Sequence, residues 1–531
     1  MLIISCGLAL LAFSPFFWIS YQSLAGNTDS AFMGLLHGHI DGSANLARMS
    51  SAQDGGWLVN YLHTPEPHDG ALTDLIYILL GRLAGMTSLS VVVIYHVARV
   101  CAAVFMYMTI YHLAATIWSR VRTRRFFFML ASMGSGLGWL FGLWTDGAAY
   151  LDLTEPGGFA FYSSLTSVHL PLAIASLCLL ASVVITVTRP DETPPPTVNN
   201  GGVTVFCVSL VLALLYPLAF LPVAVAFALN ILLNWTGDKR INTPQAHWLL
   251  WFLVPPLPVL MYYLLVLRHD PIVSGIWTQG LVIAPPSIAA FLISLGLPLL
   301  IAVPGLYRAV RRFERDGNQF MLIWLVMIVL LIYLPVGPQV SFIVGVMIPV
   351  SYFATRALED VWMDYLPANP RYALLIVLFP LVFVSNALAL VAPIRTIYDD
   401  TEMGDTSLHL PFEYADAFRW IAQRDEPDVI VLAAPDVGLW LPVWARVRVV
   451  YGHPTQTLDA SQKRDAVLAW YSAETCDLDF LRGESGDYRV RYVLYGRMER
   501  RIGSAPCLDS LTRVANFATL GIYRYDGRSS P

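Results

Sequence analysis

Residues 60–74 read NYLHTPEPHDGALTD, and this polar stretch interrupts a chain that is otherwise strongly apolar. It holds two histidines, three carboxylates and two prolines. Apolar runs of about 20 residues lie before and after it, and runs of that length cross a lipid bilayer as helices. The stretch therefore predicts a polar loop that connects membrane-spanning segments.

The composition of the whole chain is typical of a membrane protein. Of its 531 residues, 56% are hydrophobic and 13% are charged, whereas soluble domains carry about 25% charged residues. A soluble fold needs polar surfaces that so apolar a sequence does not supply. The net charge of −5 is small and no basic stripe with interleaved aromatic residues occurs, so we expect no nucleic acid partner.

The apolar runs define the predicted spans. Residues 1–21 lack a basic start and a convincing cleavage site, so they predict a first transmembrane helix and not a removable signal peptide. The polar loop 22–73 follows. Further spans are predicted near residues 90–117, 126–143, 167–188, 203–216, 218–235, 247–267, 283–306, 320–334, 339–357 and 372–392. The fold class is therefore mainly α, a polytopic transmembrane helical bundle of about eleven spans.

Loop charges predict the orientation of this bundle in the membrane. The loops on one predicted side carry most of the basic residues, whereas the other side carries only Arg48, Arg82 and Arg268. The basic side comprises Arg120, Arg122, Arg124, Arg125, Arg189, Lys239, Arg240, Arg308, Arg311, Arg312, Arg315, Arg356 and Arg371. By the positive-inside rule this side is cytoplasmic, which places the N-terminus inside and the loop 22–73 outside. We expect a multi-pass protein of the plasma (inner) membrane.

The residues after the last span form a second predicted domain. We divide the chain into a transmembrane domain, 1–392, and an extracytoplasmic α/β domain, 393–531, which has ordinary polar content. Strands are predicted at 428–434, 446–452, 491–496 and 519–526, and helices at 437–445 and 460–473. No glycine-rich phosphate loop joins a strand to a helix, so nucleotide binding is not indicated. Cys476 and Cys507 are candidates for a disulfide in an oxidising compartment.

Chemistry-bearing side chains concentrate in the outer loop. Residues 27–30, Asn-Thr-Asp-Ser, predict a helix start, followed by a short amphipathic helix at the membrane surface. Residues 72–86 predict a second interfacial helix, because they are apolar but too short to span. Carboxylates and imidazoles are groups that deprotonate an acceptor or hold a divalent cation near a phosphate. For any single residue here, simple solvation of a polar loop is the alternative.

This arrangement resembles the GT-C superfamily of polytopic glycosyltransferases, which includes protein mannosyltransferases, aminoarabinose transferases and oligosaccharyltransferases. The resemblance is carried by GNTDSAF at 26–32 and by HTPEPHDGALTDLIYILLGRLAG at 63–85. The first is similar to the family's loop aspartate and the second to its His/Pro-rich turn and helix. LPVGPQVSFIVGVMIPVSYFA at 334–354 is similar to a late-span pattern, but Val340 and Ser341 stand where the family has basic residues.

The resemblance implies transfer of a sugar from a polyprenyl-phosphate donor to an extracytoplasmic glycan, lipid or protein acceptor at the membrane lipid surface, with inversion at the sugar. It implies that Asp29 is the catalytic base, or a metal ligand together with His37 and His39 where a cation such as Mg²⁺ or Mn²⁺ is used. The predicted substrate-binding residues are His63, Glu66, His68, Asp69, Arg82, His169, Arg268 and Gln339.

Structural roles are the alternatives for individual residues. Arg82 would snorkel to lipid headgroups, Arg268 would cap a helix, and His169 would be a helix-start residue beside Pro171. Two other functions stay open for the whole chain, a transporter or flippase of lipid-linked substrates and a catalytically silent scaffold subunit. The sequence shows no inverted repeat of the kind that transporters carry.

Overall fold

The fold was analysed in a computed structural model that describes residues 1–24, 30–189, 201–239, 243–265, 268–281, 284–315, 317–335, 339–363, 368–398, 407–424, 429–483, 486 and 488–527. Contacts divide the chain into two compact units. Unit 1 comprises Met1–Ser14, Ala98–Tyr263 and Leu281–Pro393, and unit 2 comprises Pro15–Val97, Leu264–Gly280 and Ile394–Pro531. The division predicted from sequence, 1–392 and 393–531, stays a prediction.

The mainly helical fold class is confirmed. Eight helices among the described residues are long and apolar enough to cross a membrane. They are Leu2–Ser23, Val91–Ile117, His169–Thr188, Pro217–Asp238, Thr243–Leu265, Ile288–Arg312, Val340–Trp362 and Ile376–Ile394. The predicted spans 203–216 and 320–334 coincide with the shorter helices Gly202–Leu215 and Asn318–Tyr333, whereas 126–143 overlaps the end of Val121–Met133 and the short helix Gly138–Phe141. Each of these falls short of the ~20 residues that a helix needs to span a bilayer unaided.

Unit 1 is built almost entirely from these helices. Met347–Ala357 is its most enclosed helix, because every residue except Arg356 is buried. It packs against Ile288–Arg312 and Val121–Met133. Shorter helices in this unit are Gly138–Phe141, Leu151–Thr154 and Ala160–Thr166, and Ala368–Tyr398 is the last long helix. The core is therefore a helix-on-helix interior of aliphatic and aromatic side chains.

A proline lies at the boundary between the two helices that correspond to the predicted spans 203–216 and 218–235. Gly202–Leu215 stops at Tyr216, and Pro217 begins the next helix, where its missing N–H costs no hydrogen bond. Pro222 lies inside Pro217–Asp238. Ile288–Arg312 is interrupted differently, since Gly296 adopts φ 45° and kinks the helix.

Unit 2 combines the outer loop with the C-terminal residues around a five-stranded sheet. The strands β1 (Ser30–Phe32) and β2 (His409–Pro411) form a separate two-stranded sheet. The strands of the five-stranded sheet are β3 (Ile430–Leu432), β4 (Arg448–Val449), β5 (Tyr492–Tyr495), β6 (Thr512–Phe517) and β7 (Leu520–Arg524). The strand order in the five-stranded sheet is β4-β3-β5-β7-β6. In it, β3 is parallel to both β4 and β5, and β7 is antiparallel to β5 and β6. The four strands predicted from sequence are confirmed as β3, β4, β5 and β7, and β6 was missed.

The helices of unit 2 are short. They are His39–Ala52, Leu75–Thr87, Pro271–Leu281, Phe412–Ala422, Pro435–Gly438, Leu441–Trp444, Ala460–Ser472 and Arg497–Ile502. A disulfide joins Cys476 to Cys507 beside the sheet's apolar core. Leu75–Thr87 confirms the short helix predicted at 72–86.

The segment predicted as an amphipathic helix after residue 30 is instead a strand. β1 pairs antiparallel with β2, with Ser30 opposite Pro411 and Phe32 opposite His409. Backbone hydrogen bonds to a distant strand hold the segment extended, and Met33 N continues them to the Leu408 carbonyl at 3.0 Å. The helix of this region begins only at His39. The residues predicted to start the amphipathic helix, Asn27, Thr28 and Asp29, lie outside the described residues.

The two loop helices of unit 2 approach each other closely at Gly81. A Cβ atom built on Gly81 would lie 2.2 Å from the backbone oxygen of Met49. Gly81→Ala should therefore force Leu75–Thr87 away from His39–Ala52 and cost about 1–3 kcal/mol. The apparent melting temperature of the full chain in detergent measures the loss. Gly56→Ala is the matched control, because its Cβ would be 3.6 Å from its nearest contact; equal melting temperatures for both variants would contradict this packing argument.

Candidate functional site

A cavity of about 300 Å³ lies in unit 2 where the parallel strands β3 and β4 end. Pro435 and Asp436 follow β3, and Tyr451 and Gly452 follow β4, and all four residues line the cavity. The carboxyl ends of parallel strands meet at one sheet edge, which is where open α/β sheets bind ligands. We call this cavity the strand-end cavity.

The other side of the strand-end cavity comes from the outer loop and from the helix Ala460–Ser472. His39 lines it and bonds to Ser407, with 2.7 Å between His39 Nε2 and Ser407 Oγ. Arg464 lines it with an exposed side chain. The cavity thus has a guanidinium, an imidazole and a carboxyl group, and its volume is at the lower end of the ~300–1,000 Å³ of small-molecule sites.

Tyr451 contributes a largely buried phenol to the strand-end cavity. Burial raises the pKa of Tyr451, while the nearby Arg464 charge acts in the opposite direction. The hydroxyl therefore stays protonated at neutral pH and is available as a hydrogen-bond donor. Together with Arg464, it gives the cavity the character of a site for an anionic oxygen.

His63 lies behind the wall of the strand-end cavity. Its Nε2–H donates to the carbonyl of Leu439, a lining residue, at 3.1 Å. Thr457 Oγ1 donates to the His63 carbonyl at 2.6 Å, and the rings of His63 and His453 are 5.4 Å apart. Burial lowers the pKa of His63 to about 4. His63 is therefore a neutral group that fixes the position of the wall.

His453 is neutral for a similar reason, which its hydrogen bonds make explicit. Its Nδ1 accepts hydrogen bonds from the backbone N–H groups of Thr455 and Gln456, at 3.0 and 3.2 Å. Its Nε2–H donates to the carbonyl of Ile40 at 3.1 Å. Burial lowers the pKa of His453 well below its ordinary value. Sequence reasoning did not single out this residue, because no motif surrounds it.

The structure places Glu66, His68 and Asp69 in contacts that tie the loop together. His68 Nδ1–H donates to the Glu66 carbonyl at 2.8 Å, and its Nε2 accepts from the Tyr61 N–H at 2.8 Å. The Glu66 carboxylate pairs with Lys463. Asp69 is exposed, and its backbone N–H donates to Asp270 at 2.9 Å.

The two predicted cationic residues, Arg82 and Arg268, differ in accessibility. Arg82 stacks on Trp57, with its guanidinium carbon 3.8 Å from the ring centroid, and donates to the Gly55 carbonyl. Arg268 is exposed. The exposed Arg268 side chain can reach a ligand. The Arg82 guanidinium, in contrast, already contacts Trp57 and Gly55.

Two predicted residues belong to unit 1, and Asp29 lies outside the described residues. His169 stacks on Tyr216 at 6.1 Å between ring centroids, and Gln339 Nε2 donates to the Leu334 carbonyl at 2.6 Å. The prolines of the stretch 60–74 also predict that the chain turns His63 and His68 toward Asp29, and this stays a prediction. His37 is a buried residue of unit 2.

A buried cation organises the loop beside these histidines. Arg48 Nε lies 3.2 Å from Asp74 Oδ2, and its two terminal nitrogens donate to Asn45 at 3.1 Å and to Gln456 at 2.9 Å. The Arg48 side chain is 10% exposed and Asp74 is 36% exposed. The guanidinium also lies 5.6 Å from the Tyr61 ring centroid. This arginine is fully engaged and supports the loop.

The described residues contain no group of three or more His, Cys, Asp or Glu side chains placed to hold a metal ion. His39, one of the predicted ligands, instead pairs with Ser407. The described donors do not fit a cation site, so we derive no metal-dependent step.

Neither a family model nor a curated relative matches the sequence. Solved structures do match. The Archaeoglobus fulgidus oligosaccharyltransferase tethered to an acceptor peptide with an NVT sequon superposes with a TM-score of 0.55 at 13% identity, covering 93% of this chain and 68% of that one. The chain has the GT-C fold.

Two further structures share the GT-C fold with this chain. AglB from the same archaeon, in complex with an inhibitory peptide and a dolichol-phosphate, gives a TM-score of 0.52 at 12% identity over 99% of this chain and 74% of AglB. The mycobacterial arabinofuranosyltransferase AftD gives 0.51 at 14% identity over 98% of this chain and 41% of AftD. The oligosaccharyltransferase was also solved with Zn and sulfate. At such identities the likeness concerns the GT-C fold, and the predicted superfamily resemblance is confirmed at that level.

Proposed function

We propose that this protein is an integral-membrane glycosyltransferase that takes a sugar from a polyprenyl-phosphate donor. The observation that carries the proposal is the GT-C fold, which extends over 93% of the chain in the oligosaccharyltransferase superposition. One relative with this fold was solved with a dolichol-phosphate, a polyprenyl phosphate lipid. The apolar helices are long enough to hold the protein in a bilayer, which is where the polyprenyl chain of such a donor would lie.

The reaction proposed is a direct displacement at the anomeric carbon of the donor sugar. The bond from that carbon to the phosphate oxygen breaks, and a bond to the acceptor oxygen forms on the opposite face, so the configuration inverts. The acceptor proton passes to the Asp29 carboxylate, and the polyprenyl phosphate leaves with the bonding electron pair. Positive and hydrogen-bonding groups stabilise the departing phosphate.

The strand-end cavity is our candidate for the phosphate-binding part of the site. Arg464, His39 and the protonated Tyr451 hydroxyl present donors to it. Arg268, one of the substrate-binding residues predicted from sequence, keeps a phosphate-binding role in this proposal because it is exposed. Because His63 and His68 are neutral and hydrogen-bonded, we assign them to positioning of the cavity wall and the loop.

An extracytoplasmic location of unit 2 is part of the proposal. The bias of basic residues among the loops supports it. The disulfide between Cys476 and Cys507 supports it independently, since disulfides persist in oxidising compartments outside the cytoplasm.

The test is transfer from a radiolabelled polyprenyl-phosphate sugar by the purified full chain in lipid nanodiscs. Asp29→Asn should lower turnover by about 100-fold or more, the usual contribution of a general base. Asp465→Asn, which alters an exposed carboxylate on Ala460–Ser472, is the control and should leave turnover unchanged. Unchanged turnover in Asp29→Asn would remove Asp29 as the base. Failure of the wild type with every such donor would favour the scaffold or the transporter.

A further inference from the structure

A second and larger cavity, of about 600 Å³, opens elsewhere in unit 2. It lies between the start of the helix Phe412–Ala422, the start of Arg497–Ile502 and the turn between β6 and β7. Its lining includes Phe412, Glu413, Asp416, Arg497, Asn516 and Phe517. It shares no lining residue with the strand-end cavity. We call it the hairpin groove.

The polar floor of the hairpin groove is held in place by its neighbours. The Glu413 side chain is 5% exposed, and Thr519 Oγ1 donates to its Oε1 at 2.6 Å. Arg497 Nε lies 3.6 Å from the same oxygen, while the Arg497 side chain is 59% exposed. The guanidinium is therefore oriented by a buried carboxylate and still open to a ligand.

Aromatic rings form the remaining part of the hairpin groove. Phe412 is 50% exposed although it is a large apolar residue, and Phe517 is half-buried. Between these rings and the floor stand the exposed Asp416 and Asn516 side chains. The groove thus offers apolar ring faces, a positively charged hydrogen-bond donor, negatively charged acceptors and a neutral amide.

This mixture discriminates among ligand classes. A phosphate or a nucleic acid would meet two carboxylates, Glu413 and Asp416, against the single cation Arg497, so like charges would repel it. A purely apolar ligand would displace water from Arg497 and Asn516 and offer no hydrogen bond in exchange. A neutral saccharide satisfies both conditions, because its C–H faces stack on aromatic rings and its hydroxyls donate to carboxylates and accept from guanidinium and amide groups.

We propose that the hairpin groove binds a neutral saccharide chain, with Phe412 as the stacking platform and Arg497, Asp416 and Asn516 as hydroxyl partners. The inference rests on the proposed function in one respect, since it makes a glycan the acceptor that the transferase extends. Binding of the saccharide at the groove and transfer of the sugar are measured separately.

The test is calorimetric titration of the full chain in phospholipid nanodiscs with three probes, tetrasaccharides of mannose, glucose and arabinofuranose. Nanodiscs are required because maltoside detergents carry saccharide headgroups that would compete. We expect at least one probe to bind with a Kd of about 1 mM or tighter. Phe412→Ala should weaken that binding about tenfold or more, and Arg497→Gln should weaken it as well.

Trp444→Ala is the control, because Trp444 is an exposed aromatic residue of unit 2 that does not line the hairpin groove. Equal loss of binding in Trp444→Ala and Phe412→Ala, absence of binding by all three probes, or binding of inorganic phosphate at the same site would overturn the inference. Saccharide binding without any transfer would contradict the proposed transferase and leave the groove intact. Sugar transfer without saccharide binding would contradict the groove proposal and leave the proposed transferase intact.

Discussion

Arg48→Met should destabilise unit 2 by about 3 kcal/mol, although methionine fills much of the same volume. The substitution removes a buried cation that contacts Asp74, Asn45 and Gln456. The carboxylate of Asp74 would then lie beside an apolar side chain, and the two amides would lose charge-assisted partners. Asp74 keeps partial solvent contact, which places the expected effect at the lower end of the range for broken buried ion pairs.

The apparent melting temperature of the full chain, measured by fluorescence in lipid nanodiscs, should fall by roughly 10 °C in Arg48→Met. Arg419→Met is the matched control, since Arg419 pairs with Asp416 at 3.0 Å and both side chains are more than half exposed. An exposed pair contributes about 0–1 kcal/mol, so this variant should melt close to the wild type. Similar shifts in the two variants would show that burial does not set the strength of the Arg48 contacts.

Acidification should weaken unit 2 through its neutral histidines. The pKa of His63 is lowered to about 4, and burial also lowers the pKa values of His68 and His453. An unfolded histidine has a pKa of about 6.5, so below that pH the unfolded chain binds more protons than the folded one. Stability is therefore fully present above pH 6.5 and is lost as the pH falls toward 4. His63 alone accounts for a loss of about 3 kcal/mol at pH 4.

Melting temperatures measured from pH 7.5 to pH 4.5 check this expectation. His63→Gln keeps a side-chain N–H for the Leu439 carbonyl but does not titrate, so its melting temperature should depend less on pH. His269→Gln changes an exposed histidine of the same unit and should keep the wild-type pH dependence. A wild-type profile that is flat between pH 6.5 and pH 4.5 would mean that these histidines are accessible to protons in the folded state.

Hydropathy was enough to predict most of unit 1, because a membrane helix is specified by its own length and composition. Eight predicted spans coincide with long apolar helices such as His169–Thr188 and Ile376–Ile394. Shorter helices such as Asn318–Tyr333 are as apolar as the long ones, but they end before they reach the length that crosses a bilayer. The predicted span 320–334 matches this helix to within two residues at each end.

Unit 2 was harder to predict because distant segments decide its local structure. Ala31 and Phe32 fit an amphipathic helix in isolation, but pairing with β2 makes them a strand. β6, with the sequence TRVANF, has partly exposed and polar positions and lacks the apolar run that revealed β3. Pairing partners far along the chain leave no trace in a local pattern.

The strand-end cavity was partly within reach of the sequence. β3 and β4 were predicted, and the rule that ligands bind at the carboxyl ends of parallel strands points to Asp436 and Tyr451. The contribution of His39 from the outer loop was not predictable, because it depends on Ser407. The sequence marks His63 and His68 as candidate site residues because they are polar residues in an apolar chain. Their hydrogen bonds show that they stabilise the loop.

The pairing of the outer loop with the C-terminal residues also sets an order of events during synthesis. Arg48 and Gln456 are 408 positions apart, and Ser50 bonds to the Val443 carbonyl across 393 positions. At about 5–20 residues per second, roughly 20–80 s separate the emergence of Arg48 from that of its amide partner. During that interval the intervening helices are made while the Arg48 nitrogen that bonds Gln456 lacks this partner. Unit 2 is therefore the last part of the protein to acquire its native contacts, and a ribosome that stalls before residue 456 leaves the outer loop unfinished.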